Sequence, residues 1–119
     1  MRVIGLGLAS RATAAEVRAA LAAAGPADLL ATLDSRAGHP ALVGVAVPLR
    51  ALPEQALHGV ATPSRSDRIF ARFGCGSVAE AAALVASGGP LLTRRQTIGS
   101  VTWALAEGPG PIQNRTTPE

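Results

Sequence analysis

Two short stretches of this chain put glycine, hydroxyl and arginine residues where a helix would begin. The first is Gly5-Leu6-Gly7-Leu8-Ala9-Ser10-Arg11-Ala12-Thr13 and the second is Arg72-Phe73-Gly74-Cys75-Gly76-Ser77. Unpaired N–H groups and the macrodipole at a helix start favour an anion. Glycine lets the backbone approach a ligand closely, and a nearby guanidinium offers a fork of donors shaped for carboxylate or phosphate. The chemistry implied is anion recognition, by Gly7, Ser10, Arg11 and Thr13 at one start and by Gly76 and Ser77 at the other. Plain capping accounts for some of the same residues, because Thr13 with Glu16 and Ser77 with Glu80 both fit the S/T-x-x-E capping box.

Other residues invite other chemistry. Asp34 with Arg36 and His39 would make an acid-base pair, with Ser77 stabilising developing negative charge; the competing reading is Asp34 and His39 as turn residues. Cys75 at a helix start would be either an acidified thiolate or a passive small residue. Gly5-Leu6-Gly7 and Asp34 resemble part of a dinucleotide fingerprint, but its third glycine is replaced and Asp34 lies beyond the usual spacing of about 20 residues. A tight turn is the better account of those glycines. Arg65, Arg68, Arg72, Arg94 and Arg95 suggest a polyanion. Nucleic acid fits poorly, because the net charge is only +3 and Phe70, Phe73 and Trp103 are the only aromatic residues. A small molecule with several carboxylates suits the same arginines, which could converge on it from loops at one sheet edge. The chain has eleven arginines and no lysine, which excludes a Schiff-base mechanism.

These residues need a scaffold, and 119 residues suffice for one domain. With 48% hydrophobic residues and so few aromatics, the core is built from Ala, Val, Leu and Ile. A strand at 3–8 leads into an Ala-rich helix opened by Thr13 and closed by Gly25-Pro26, on which Val17, Ala20, Leu21 and Ala24 form one stripe. A second strand at 29–33 ends in Asp34-Ser35-Arg36. Residues 40–47 are ambiguous between helix and strand, 53–57 suggest a short helix, and 64–73 are helical or irregular. A second Ala-rich helix spans 78–86, and strands at 91–93 and 100–106 flank a loop at 94–99. The domain is expected to cover 1–106, with 107–119 a disordered tail. The lone cysteine, the lack of zinc-site spacing and the absence of about 20 consecutive apolar residues predict a cytoplasmic protein without metal, cofactor or membrane segment.

Specific residues add a resemblance. Ala61-Thr62-Pro63-Ser64-Arg65-Ser66, then Ala71-Arg72-Phe73-Gly74-Cys75-Gly76-Ser77-Val78-Ala79-Glu80-Ala81-Ala82-Ala83-Leu84, are similar to the CobE family of the aerobic cobalamin pathway. Gly5-Leu6-Gly7, Ala31-Thr32-Leu33-Asp34 and Val101-Thr102-Trp103-Ala104-Leu105-Ala106 fit the same family. The domain also resembles the C-terminal part of CbiG, the hydrolase that opens the lactone of cobalt-precorrin-5A. The resemblance implies a three-layer α/β/α fold on a mixed sheet, a helix within 40–47 before a strand at 47–49, and handling of a precorrin or hydrogenobyrinic-acid-type intermediate. It leaves open a hydrolase or rearrangement activity using Asp34, His39 or Ser77, and a non-catalytic scaffold for other pathway enzymes. Where CbiG has G-x-G-C-R-R-G, this chain lacks the cysteine and the paired arginines, so Arg11 would substitute from one position along. Arg95 takes the place of a CbiG lysine. On this reading Arg11, Arg94 and Arg95 pair with acetate and propionate groups, and the Ala-rich helices also offer surfaces for a homo-oligomer.

Overall fold

The first strand decides how the molecule is layered, because its large and small side chains alternate. In the computed structural model, which describes residues 1–110, β1 (Arg2–Leu8) sends Ile4, Leu6 and Leu8 into one apolar cluster and Val3 into another. Gly5 and Gly7 share the face of Val3. Among the described residues the sheet is completed by β2 (Leu29–Leu33), β3 (Leu49–Leu52), β4 (Leu91–Ile98) and β5 (Val101–Glu107), in the order β3-β2-β1-β5-β4. β1, β2 and β3 run parallel, whereas β5 is antiparallel to both β1 and β4. The fold is α/β on a mixed sheet, as the sequence implies.

One face is covered by α1 (Ala14–Ala24), whose Val17 and Ala20 pack with Ile4, Leu6, Val101, Trp103 and Leu105. Its capping box forms as read: the Glu16 N–H donates to Thr13 Oγ1 at 3.1 Å and the Thr13 N–H to Glu16 Oε1 at 3.0 Å. The other face is covered by α4 (Val78–Ser87), reached through α2 (Glu54–Leu57) and α3 (Asp67–Phe73). Small residues on both sides let α4 lie close to the sheet: Ala79 and Ala83 pack on Ala104 and Ala106, and Ala81, Ala82 and Ala86 on Val3 and Ala31. Gly5 is the tightest point, since a β-carbon there would collide with the Ala79 carbonyl oxygen and meet the Ala83 nitrogen at 2.7 Å. Seven of the ten residues of α4 are buried, five of them alanines that serve the core. The helix ends where Gly88 enters the left-handed region at φ 71°.

Three expectations need correcting. Residues 40–47 hold only a single 3₁₀ turn, Pro40–Leu42, and the strand follows at Leu49–Leu52, not at 47–49. Leu49, Arg50 and Ala51 are exposed on this edge strand, so no buried alternation marked it in the sequence. Arg94 to Ile98 is not a loop but the second half of β4; the hairpin turn is confined to Gly99-Ser100. At the C-terminal end Glu107 closes β5, while the Gly108 N–H donates to the Met1 carbonyl and the Gly110 N–H to that of Ser87. The rest of the expected tail, 111–119, lies outside the described residues. Among the described residues no single helix is long and apolar enough to cross a membrane.

Candidate functional site

The C-terminal ends of β1 and β2 open onto a cleft of about 850 Å³, the place where ligands enter open α/β sheets. Its floor is Gly7 and Leu8 of β1, Thr32 and Leu33 of β2, and Thr102 at the start of β5. The walls come from the β1-α1 loop with Ser10 and Arg11, the turn after β2 with Ser35 and Arg36, α3 with Arg68 and Arg72, the start of α4 with Ser77, and β4 with Arg95. Among the described residues five arginines line the cleft and no aspartate, glutamate or histidine does. Arg72 reaches away to Glu54 at 3.4 Å and lies over the Phe73 ring at 4.7 Å. Among the described residues Arg11, Arg36, Arg68 and Arg95 form no ion pair. Like charges gathered in a concave, partly desolvated space raise its positive potential and draw an anion in. A second depression, of about 690 Å³ between α2 and α3, shares Arg72 but contains Glu54 and His58, so its charges are mixed.

The structure brings Gly7, Ser10, Arg11, Ser77 and Arg95 together as anticipated, and leaves the other candidates outside. Thr13 is committed to capping α1. Gly76 lies under the preceding loop, where a β-carbon would meet the Ser64 carbonyl oxygen at 2.5 Å and Thr62 Oγ1 at 2.6 Å. Arg94 is exposed and does not line the cleft; it stands with Arg95 at an irregularity in the pairing of β4 with β5. Asp34 is exposed in the 3₁₀ turn Asp34–Arg36 and is not a cleft residue. His39 uses both ring nitrogens to hold loops: Nδ1 accepts from the Ala41 N–H at 3.0 Å, so Nε2 carries the hydrogen it donates to the Ser10 carbonyl at 2.9 Å. That imidazole fixes the Ser10 loop and is not placed to act as a base in the cleft.

The family described as cobalamin synthesis G C-terminus matches residues 2–106. The chain belongs to this CbiG C-terminal family. A CobE protein from a Sinorhizobium species is 39% identical over 127 residues, spanning 93% of this chain and 82% of the relative. The crystal structure of CobE, a protein from the cobalamin (vitamin B12) biosynthetic pathway, matches with a TM-score of 0.75 and 30% identity, covering 89% of each chain. The cobalamin biosynthesis protein chiG from Agrobacterium tumefaciens strain C58 matches with a TM-score of 0.65 and 30% identity, covering 92% of this chain and 99% of the other. The role of this family member is in cobalamin biosynthesis.

In this CbiG C-terminal domain the glutamates of the two capping motifs behave differently. Glu16 completes its box and also accepts from the Ser100 N–H through Oε2 at 3.2 Å, tying the β4-β5 turn to the start of α1. Ser77 Oγ accepts from the Glu80 N–H at 3.3 Å, but the Glu80 carboxylate turns away from the cap. It accepts instead from the Ser64 N–H and hydroxyl and from the Arg95 N–H. A local motif thus concealed a long-range contact. Arg36 escaped the sequence reading as a cleft residue, whereas Arg68 and Arg72 belong to the arginine group expected to converge on a polycarboxylate, and the tertiary fold brings their segments alongside Arg11 and Arg95.

Cys75 is the passive residue of the two readings offered for it. It is 1% exposed, and burial pushes its thiol above the usual range against the smaller opposing effect of a backbone hydrogen bond at Ser77. Because the folded value is raised, its contribution to stability is complete below the ordinary thiol range and is lost as pH rises through the raised value. A chromogenic disulfide reagent at neutral pH is expected to leave the folded domain unmodified and to titrate one thiol per chain in denaturant, read by absorbance of the released chromophore.

Proposed function

We propose that the cleft binds a corrin-ring biosynthetic intermediate through the carboxylates on its periphery. The observation that carries this reading is the convergence of Arg11, Arg36, Arg68 and Arg95, none of them in an ion pair among the described residues, on one cleft that Arg72 also lines. A cleft of about 850 Å³ is in the range of cofactor-sized sites. Fixed guanidinium forks recognise carboxylates in pairs, and several carboxylates spread around one ring engage arginines arriving from several elements at once. Membership of a cobalamin family supplies the ligand class.

The cleft supports holding and handing on the intermediate better than transforming it. Asp34 and His39 are absent from its lining, which among the described residues contains no carboxylate or imidazole to take a proton. Ser77 remains as a hydroxyl donor at the start of α4. Titration with hydrogenobyrinic acid tests the reading. Its absorption spectrum should shift and the melting temperature of the protein should rise, while the same ring with its side chains converted to amides binds at least about tenfold more weakly, since charge-assisted hydrogen bonds are lost. An unchanged spectrum and melting temperature, or equal affinity for the amide, would overturn it.

A further inference from the structure

Glu80 is 0% exposed, yet none of the ion pairs among the described residues includes it. Its carboxylate joins three segments distant in sequence. Oε1 accepts from the Ser64 N–H at 2.9 Å, and Oε2 accepts from the Ser64 hydroxyl at 2.8 Å and the Arg95 N–H at 2.8 Å. Ser64 lies just before Ser66, the cap of α3, whose Arg68 and Arg72 line the cleft. Arg95 carries its own guanidinium into the cleft from β4. One buried group, rooted in the first turn of α4, therefore holds two arginine-bearing walls.

We infer that Glu80 is a positioning residue that sets the spacing between the α3 arginines and Arg95, so that ligand affinity depends on it although it does not line the cleft. The inference rests on the carboxylate-binding reading above. A carboxylate can face three donors because it only accepts. In Glu80→Gln one terminal atom becomes a donor, so whichever way the amide turns, either the Ser64 or the Arg95 N–H loses its acceptor. The loosened segment no longer fixes its arginine, and pre-organised recognition is lost.

The experiment measures affinity for hydrogenobyrinic acid in wild type, Glu80→Gln, Arg95→Ala and the double variant, with amide exchange followed at Ser64 and Arg95. Arg95→Ala removes the guanidinium and keeps the backbone donor. Glu80→Gln is expected to bind about tenfold more weakly with faster exchange at one of the two amides; if that amide is Arg95, the loss shrinks once Arg95 is alanine, because the two effects share a partner, and if it is Ser64, the loss persists there because the α3 wall is the one loosened. Ser64→Ala, which removes only the hydroxyl donor, provides the same comparison with a smaller loss if Glu80→Gln does not fold. Equal losses in both backgrounds with faster exchange at Arg95, weaker binding with exchange unchanged at both amides, or folded variants that bind as tightly as wild type, would overturn the positioning role while leaving the binding reading in place. Failure of the wild type to bind removes the binding reading itself, and this inference with it.

Discussion

Reversing two charges together, Arg68→Glu with Arg95→Glu, is expected to weaken hydrogenobyrinic acid binding by at least about a hundredfold, since each charge-assisted contact is worth about 1.5 to 3 kcal/mol. The two residues stand on different walls of the cleft, one on α3 and one on β4, and neither is paired with an acid among the described residues. No ion pair among the described residues is broken, so the fold should keep its stability. The matched control is Arg18→Glu with Arg50→Glu, which alters net charge equally at exposed positions on α1 and β3 outside the cleft. Titrations at one fixed salt concentration then separate a local site from attraction by overall charge. Equal losses in the two double variants would show that the cleft arginines have no special part.

The second large effect concerns stability. Gly5→Ala should cost about 3 kcal/mol, at the upper end of the usual range for overpacking, because the clash is with helix backbone and not with a side chain able to rotate. The φ of Gly5 is not positive, so the penalty is steric and not conformational. Relief requires α4 to lift from β1, and its first turn carries Ser77 and Glu80, so affinity should fall together with stability. Gly7→Ala on the same face is the milder companion, because its added methyl would meet the Thr102 hydroxyl, the end of a side chain. Urea unfolding of both variants measures the difference, and equal midpoints would contradict the close packing of α4 on the first strand.

What the sequence reveals and what it hides follow from where the stabilising contacts lie. Helix limits are local events, and Thr13, Gly25, Ser77 and Gly88 mark them within a residue or two of their positions in the structure. Strands buried on a face are legible too, as at 29–33 and 101–106, because burial imposes an apolar pattern. The edge strands are not. Arg94-Arg95-Gln96-Thr97 shows no apolar alternation, and is held as β4 by pairing with β5 and by the Glu80 carboxylate. Leu49, Arg50 and Ala51 are similarly exposed and owe their conformation to pairing with β2.

The site divides along the same line. Gly7, Ser10, Arg11 and Ser77 were readable because each belongs to a local strand-to-helix signature. Arg68 and Arg72 were readable only as members of an arginine group, and Arg36 not at all, because their place at the cleft depends on how a short helix and a turn pack and not on a local signature. Glu80 was concealed for a different reason: the capping motif offered a sufficient local explanation for it, while the structure gives its side chain to Ser64 and Arg95.

The central claim is that one cleft, and not the basic surface as a whole, recognises the carboxylates of the corrin ring. Nitrogen resonances of the arginine side chains, recorded while hydrogenobyrinic acid is added, test it most directly. Shifts confined to Arg11, Arg36, Arg68, Arg72 and Arg95, with Arg18, Arg50 and Arg94 unmoved, are the predicted result. Shifts spread over Arg18, Arg50 and Arg94, or none at the cleft arginines, would contradict it.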